Sequence, residues 1–162
     1  GGGANFVDPK FGPVWATSAL GNEKITLVAT DPANHKEHAW KVVREAETAG
    51  PGLFLKTHPK SENVWTDATF AKDGNSNQTI CVFKKKDFDA DPTCFSATEH
   101  GKIVHFEYNK AGDEVWASVW DRKGALIVYD DKTLKEKARI EADWMVTPTG
   151  KWNVYNTVHD VY

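Results

Sequence analysis

The side chains able to do chemistry in this sequence are few and scattered. His35 and His38 stand three positions apart and could offer two imidazoles to a metal, but nothing else in their loop has ligand spacing, so both read as solvent-exposed. His58, in Thr57-His58-Pro59, falls on a turn and reads as structural. His105 alternates with Val104 and Phe106, which sets it on one face of a strand, and its ring can donate, accept or carry charge near neutral pH. Taken alone it reads as a satisfied structural histidine. Lys84-Lys85-Lys86 is balanced by Asp87, Asp89 and Asp91, a solvated turn rather than an anion site. Cys81 and Cys94 flank that excursion; an oxidising compartment would pair them, a reducing one would leave two thiols, and both outcomes stay open. With no Cys-x-x-Cys, the chain carries neither a cysteine zinc site nor a covalently attached c-type haem. No catalytic or metal-binding set emerges from these residues.

The elements that must position them belong to one aromatic-rich chain. In 162 residues, 40% are hydrophobic and seven are Trp, enough for a packed core. A formal charge of −3 leaves no basic field, so a nucleic-acid partner is not expected. The longest apolar runs, such as Ala125 to Tyr129, are too short to span a bilayer, and the start has no signal-peptide pattern. The opening Gly-Gly-Gly without Met suggests a processing or fragment boundary at Gly1.

A repeat organises the chain. Phe11 to Ser18, Ile25 to Thr30 and Ala39 to Glu45 read as strands of a first round; Leu53 to Thr57, Val64 to Thr69 and Thr79 to Phe83 as a second; Ile103 to Tyr108, Val115 to Trp120, Leu126 to Asp131 and Thr133 to Ile140 as a third. Met145 to Thr157 reads as a final hairpin with its corner at Thr149-Gly150-Lys151. Val-Trp or Val-Tyr pairs place aromatics at 15, 65, 116 and 155, spaced by 50, 51 and 39 residues. Periods near 40 to 50 with about four short strands each describe β-propeller blades, and an all-β sandwich is the competing fold. The stretches 33–47 and 133–141 could be argued as helices, but their β-branched neighbours oppose it. About three and a half blades cannot close a ring of about 4 to 8, so the chain needs more of its own polypeptide or a second chain.

The segments Gly3-Ala4-Asn5-Phe6, Phe11-Gly12-Pro13-Val14-Trp15-Ala16-Thr17-Ser18, Lys56-Thr57-His58-Pro59, Asn109-Lys110, Glu114-Val115-Trp116, Asp130-Asp131-Lys132-Thr133-Leu134 and Thr147-Pro148-Thr149-Gly150-Lys151-Trp152-Asn153-Val154-Tyr155-Asn156-Thr157 resemble, in order and end to end, the C-terminal part of the cytochrome cd1 nitrite reductase family. The resemblance implies an all-β, eight-bladed propeller with haem d1 in its central channel, residues 1–162 being the last three and a half blades. It implies an upstream cytochrome c domain carrying haem c, and a periplasmic homodimer with no membrane contact. That enzyme would reduce nitrite to nitric oxide in denitrification, fed by an electron-donor cytochrome or cupredoxin. The proximal iron ligand and the two proton-donating histidines would lie upstream, so this segment by itself is expected to be inactive and to contribute pocket wall.

Three positions carry over by resemblance. Phe54 matches an aromatic that packs on the macrocycle, Thr149 a hydroxyl that bonds a macrocycle carboxylate, and His105 a position where some members have a Gln contacting the haem. Trp152 stands where the family pattern has Phe and reads as a tolerated core change. Without the resemblance, Phe54 serves equally as a core aromatic and Thr149 as a turn residue. Two other functions compete: a propeller dehydrogenase of haem d1 biosynthesis, and a non-catalytic propeller that binds a protein on its loop face.

Overall fold

The computed structural model describes residues 2–145 and 152–155. Twelve strands form three antiparallel sheets among these residues. The first contains β1 (Gly3–Asp8), β2 (Gly12–Ser18), β3 (Lys24–Ala29) and β4 (Val42–Glu47). The second contains β5 (Leu55–Lys56), β6 (Asn63–Thr66), β7 (Thr79–Lys84) and β8 (Thr93–Ser96). The third contains β9 (Lys102–Tyr108), β10 (Glu114–Trp120), β11 (Ala125–Asp130) and β12 (Glu136–Glu141). Each sheet is a meander in chain order, and the whole is a β-propeller segment of three four-stranded blades. The helical alternatives fail, since the described residues hold only a 3-10 turn at Ser76–Gln78.

Period-two alternation explains how the blades stack. Val64, Cys81 and Phe83 pack with Ala4, Phe6, Val14 and Leu27 in a core between the first and second blades. Their strand neighbours Trp65, Ile80 and Val82 pack with Ile103, Phe106, Val115 and Ile127 in a core between the second and third. Successive side chains leave opposite faces of a strand, so the middle sheet feeds both cores at once. Each fully buried Val, Leu, Ile or Phe contributes about 1.5–3 kcal/mol relative to exposure.

Polar staples fix the blades against each other. The Asp131 carboxylate, in the turn that follows β11 of the third blade, accepts from Trp65 Nε1 at 2.8 Å, Ser61 Oγ at 2.6 Å and Tyr108 OH at 3.0 Å, and the Asp131 carbonyl accepts from Asn63 Nδ2 at 2.6 Å. Burial and this carboxylate hold the Tyr108 hydroxyl well above its ordinary 10.0, so it remains a donor. Arg44 on β4 grips Asp8 at 2.7 and 3.2 Å and also reaches Asp89 of the second blade. Burial pushes the Asp8 carboxyl up, but Arg44 and the N–H groups of Lys10 and Phe11 together outweigh it and leave it below 3.8. Because the folded pKa is depressed, this stabilisation is present above pH 3.8 and is lost as pH falls through the folded value. Asp8→Asn should therefore cost about 1–2 kcal/mol at pH 6 and progressively less below pH 3.8. Melting curves from pH 6 to 3 check this; a variant deficit that grows on acidification would contradict it.

Several expectations change. β1 and β8 lie outside the strands read from sequence, β1 because its Gly-rich start dilutes the β pattern and β8 because it follows Asp-Pro and is largely exposed. Trp40 is not in a strand but in a turn at φ 66°, where its N–H bonds Ala29 O at 2.8 Å. Cys81 and Cys94 form a disulfide: they are directly opposite on β7 and β8, with Cα atoms 4.1 Å apart. His35 and His38 are half-buried rather than exposed. His35 bonds Asp31 at 3.1 Å and His38 meets the Phe11 ring edge-on at 4.9 Å. Residues 146–151 and 156–162, with Thr149 and most of the final hairpin, lie outside the described residues. Trp152 to Tyr155 are coil and bend, since extended backbone becomes a strand only with a ladder partner, and no described residue supplies one.

Candidate functional site

The inner strands β1, β5 and β9 lie side by side, and their meeting place gathers the chain's unusual residues. Gly2, Gly3, Phe54, Leu55, Lys56, His105 and Phe106 line a small cavity there of about 60 Å³. The Phe54 and His105 rings stack at 4.5 Å between centroids with planes 21° apart. The two residues come from different blades.

His105 reaches this position by breaking the pleat. On β9, Phe106 pairs with Ala117 and Val104 with Ser118, so His105 is the extra residue of a β-bulge, at φ 69°. A left-handed conformation at a non-glycine residue costs on the order of 1–3 kcal/mol and persists only where its surroundings fix it. Here Asp67 Oδ2 accepts the His105 N–H at 3.1 Å. The same carboxylate accepts the Leu53 N–H at 2.7 Å and the Phe54 N–H at 3.2 Å. Asp67 is fully buried; burial raises its pKa above 3.8, against the pull of the Leu53, His105 and Phe54 N–H groups. One acceptor thus ties the backbones of both stacked rings.

The imidazole continues into a charged row. His105 Nε2 lies 2.8 Å from Glu107 Oε1, and Lys56 Nζ 3.3 Å from Glu107 Oε2. The His105 and Glu107 side chains are buried, while Lys56 is partly open to solvent. Trp152 also lies against His105, with ring centroids 5.3 Å apart. The Trp that stands in place of the expected Phe therefore adjoins the histidine. Trp152 Nε1 is buried and has no hydrogen-bond partner among the described residues. The glycines have a steric role: a Cβ on Gly2 would stand 2.6 Å from Phe54 Cδ1, and one on Gly3 would stand 2.1 Å from Trp15 Nε1.

Of the three residues carried over by resemblance, the structure brings Phe54 and His105 together, and Thr149 lies outside the described residues. Sequence reasoning missed Asp67, Lys56, Glu107 and the placement of Trp152. The other histidines and the lysine run stay structural. His58 packs on Gly112 and accepts the Lys60 N–H at 3.1 Å, and burial followed by the nearby Lys60 charge holds its imidazole below 6.5. Lys84 and Lys86 are exposed, as read from sequence, although Lys84 bonds Asn63 Oδ1 at 2.7 Å; Lys85 is half-buried and bonds His58 O at 2.8 Å. No three metal-ligating side chains cluster among the described residues. A roomier cleft, about 550 Å³, opens between Lys60, Asn63, Lys84 and Asp131, where Asn63 bonds both Lys84 and the Asp131 carbonyl, so volume does not locate the site.

Comparison with known proteins adds the following. A family model for the cytochrome D1 heme domain matches residues 1–157. A nitrite reductase of Stutzerimonas stutzeri is 44% identical over 180 residues, covering 100% of this chain and 32% of that protein. A dihydro-heme d1 dehydrogenase of Pseudomonas aeruginosa is 37% identical over 120 residues, covering 74% of this chain and 23% of its own length. The chain thus spans about a third or less of these curated relatives. Among solved structures, dihydro-heme d1 dehydrogenase NirN in complex with DHE superposes with a TM-score of 0.77 at 29% identity, over 94% of this chain and 29% of that one. Kuenenia stuttgartiensis hydrazine synthase superposes at 0.65 with 11% identity, over 87% of this chain and 36% of the other, a likeness of fold alone.

Proposed function

This chain belongs to the cytochrome D1 heme domain family, and from that premise we propose that it forms part of a haem d1 pocket in a nitrite reductase that makes nitric oxide. The observation that carries the reading is the Phe54–His105 stack, fixed by Asp67 where the inner strands of the blades meet. The residues present suit such a group. A planar macrocycle with carboxylates wants flat aromatic walls, cations and N–H donors; the site offers stacked rings, Lys56, the glycine-lined face and the unpartnered Trp152 N–H. The bound haem would supply the Lewis-acidic, redox-active iron at which nitrite takes up one electron and two protons to give nitric oxide and water. This chain's own share is structural and electrostatic: Phe54 walls the ring, His105 stacks on Phe54 beside it, Lys56 offers a donor, and Glu107 balances the charge of Lys56. Thr149 is proposed as a further donor to a carboxylate. The proton-donating residues, a haem c domain and the remaining blades are proposed to lie upstream in a periplasmic homodimer, which draws electrons from a small cytochrome or cupredoxin. No described helix is long and apolar enough to cross a membrane.

The visible spectrum of the complete protein tests the reading, because haem d1 absorbs in the red and haem c does not. Phe54→Ala should release haem d1 about five- to tenfold faster than wild type, the loss of one aromatic contact. Unchanged release would take Phe54 out of the wall. The likeness to dihydro-heme d1 dehydrogenase supports a second reading, oxidation of a dihydro-haem precursor in haem d1 assembly. Assays with nitrite and with the dihydro macrocycle separate the two. A red band with neither activity would leave a haem-binding scaffold.

A further inference from the structure

We infer that the indole N–H of Trp152 is a hydrogen-bond donor to a peripheral oxygen of the bound macrocycle, a carboxylate or a ring carbonyl. The inference rests on the haem d1 reading and adds a contact to it. Its starting point is an energetic imbalance. A buried N–H left without an acceptor costs about 1–3 kcal/mol, and native folds keep such groups rare. Trp152 Nε1 is in that condition among the described residues, and its ring lies 5.3 Å from His105, which also stacks on Phe54.

The described chain has another such indole, and the contrast is informative. Trp116 Nε1 is also unpartnered, but Trp116 stands on β10 where Trp65 stands on β6. Trp65 gives its N–H to Asp131 of the following blade, so the repeat assigns the Trp116 donor to the same kind of inter-blade bond. Trp152 has no counterpart of that sort. It lies next to an imidazole whose Nε2 is already engaged by Glu107. An indole offers one donor and no acceptor, so its match is an oxygen acceptor and not a second N–H. A planar ligand edge carrying such an oxygen, lying along the rings, would relieve the imbalance.

The test is Trp152→Phe in the complete protein, which keeps a ring beside His105 while it deletes the donor and trims part of the apolar surface. Dissociation of haem d1 and, separately, of protohaem is measured by transfer to an excess of acceptor protein, together with thermal unfolding of the unloaded protein. The inference expects haem d1 to leave the variant about tenfold faster or more, while the unloaded variant melts at the wild-type temperature or above it. Accelerated loss of both macrocycles places the acceptor on a carboxylate, and loss confined to haem d1 places it on a ring carbonyl. Equal dissociation of haem d1 from variant and wild type overturns the inference. So does an unloaded variant that melts lower or fails to fold, because the N–H is then spent inside the protein. A wild type that takes up neither macrocycle overturns the pocket reading itself, a result distinct from equal dissociation.

Discussion

Asp131→Ala is expected to destabilise the protein by about 1–3 kcal/mol, because it strands the buried Trp65 N–H. The Tyr108 hydroxyl loses the same acceptor but keeps Ser61 Oγ at 3.2 Å, Ser61 loses its 2.6 Å bond to the carboxylate but keeps Asn63 O within reach at 3.5 Å, and Asn63 Nδ2 keeps the backbone carbonyl of residue 131. The damage should therefore concentrate on Trp65, in the core between the second and third blades. Asp131→Asn retains one acceptor oxygen and should fall between variant and wild type. Denaturant unfolding with Trp fluorescence reads both. A cost below about 1 kcal/mol for the alanine variant would show that water or repacking satisfies these donors and that the blades do not depend on the staple.

The second large effect is expected at Asp67. In Asp67→Asn the amide oxygen can still accept the Leu53 and Phe54 N–H groups, but the amide nitrogen then meets the His105 N–H donor to donor. The loss should be about 1–3 kcal/mol and should be felt most at the bulge, where Asp67 holds the N–H of the left-handed His105. Hydrogen exchange at the His105 amide should accelerate much more than exchange on β2 or β3, and haem d1 should be held less firmly in the loaded protein. The pH dependence has a definite sign. Burial raises the folded pKa of Asp67 above 3.8, so the native state binds the extra proton between 3.8 and the folded value, and wild-type stability from this group declines as pH climbs through that window. Asp67→Asn has no such titration. The deficit of the variant should shrink as pH rises through the window and then stay level; a deficit that widens would mean that the folded pKa is depressed instead. Uniformly faster exchange throughout the second and third blades would assign Asp67 a general structural role and remove it from the positioning of His105.

Local sequence determined the blades because strand formation and stacking follow from patterns a few residues long. β-branched and aromatic alternation in Ile80-Cys81-Val82-Phe83 and Val115-Trp116-Ala117 sets two faces per strand, and the Val-Trp pair marks equivalent places in the second and third sheets, whereas in the first Val14 packs toward the following blade and Trp15 is partly exposed. Phe54 and His105 were legible only through resemblance, and the alternation used for His105 is the wrong physics for a bulge, where an extra residue cancels the period. The disulfide needed the register of β7 against β8 to put Cys81 opposite Cys94, since spacing alone permits either outcome. Gly2 and Gly3 form a close-approach surface for Phe54 and Trp15, which the sequence did not reveal. Only the tertiary structure decided that Asp67 would ligate N–H groups from two blades, that Lys56 and Glu107 would extend the row from His105, and that Trp152 would lie against that ring. Each of these joins segments 13 to 51 residues apart, through hydrogen bonds and ring contacts that depend on how one blade twists against the next and leave no local periodicity to read.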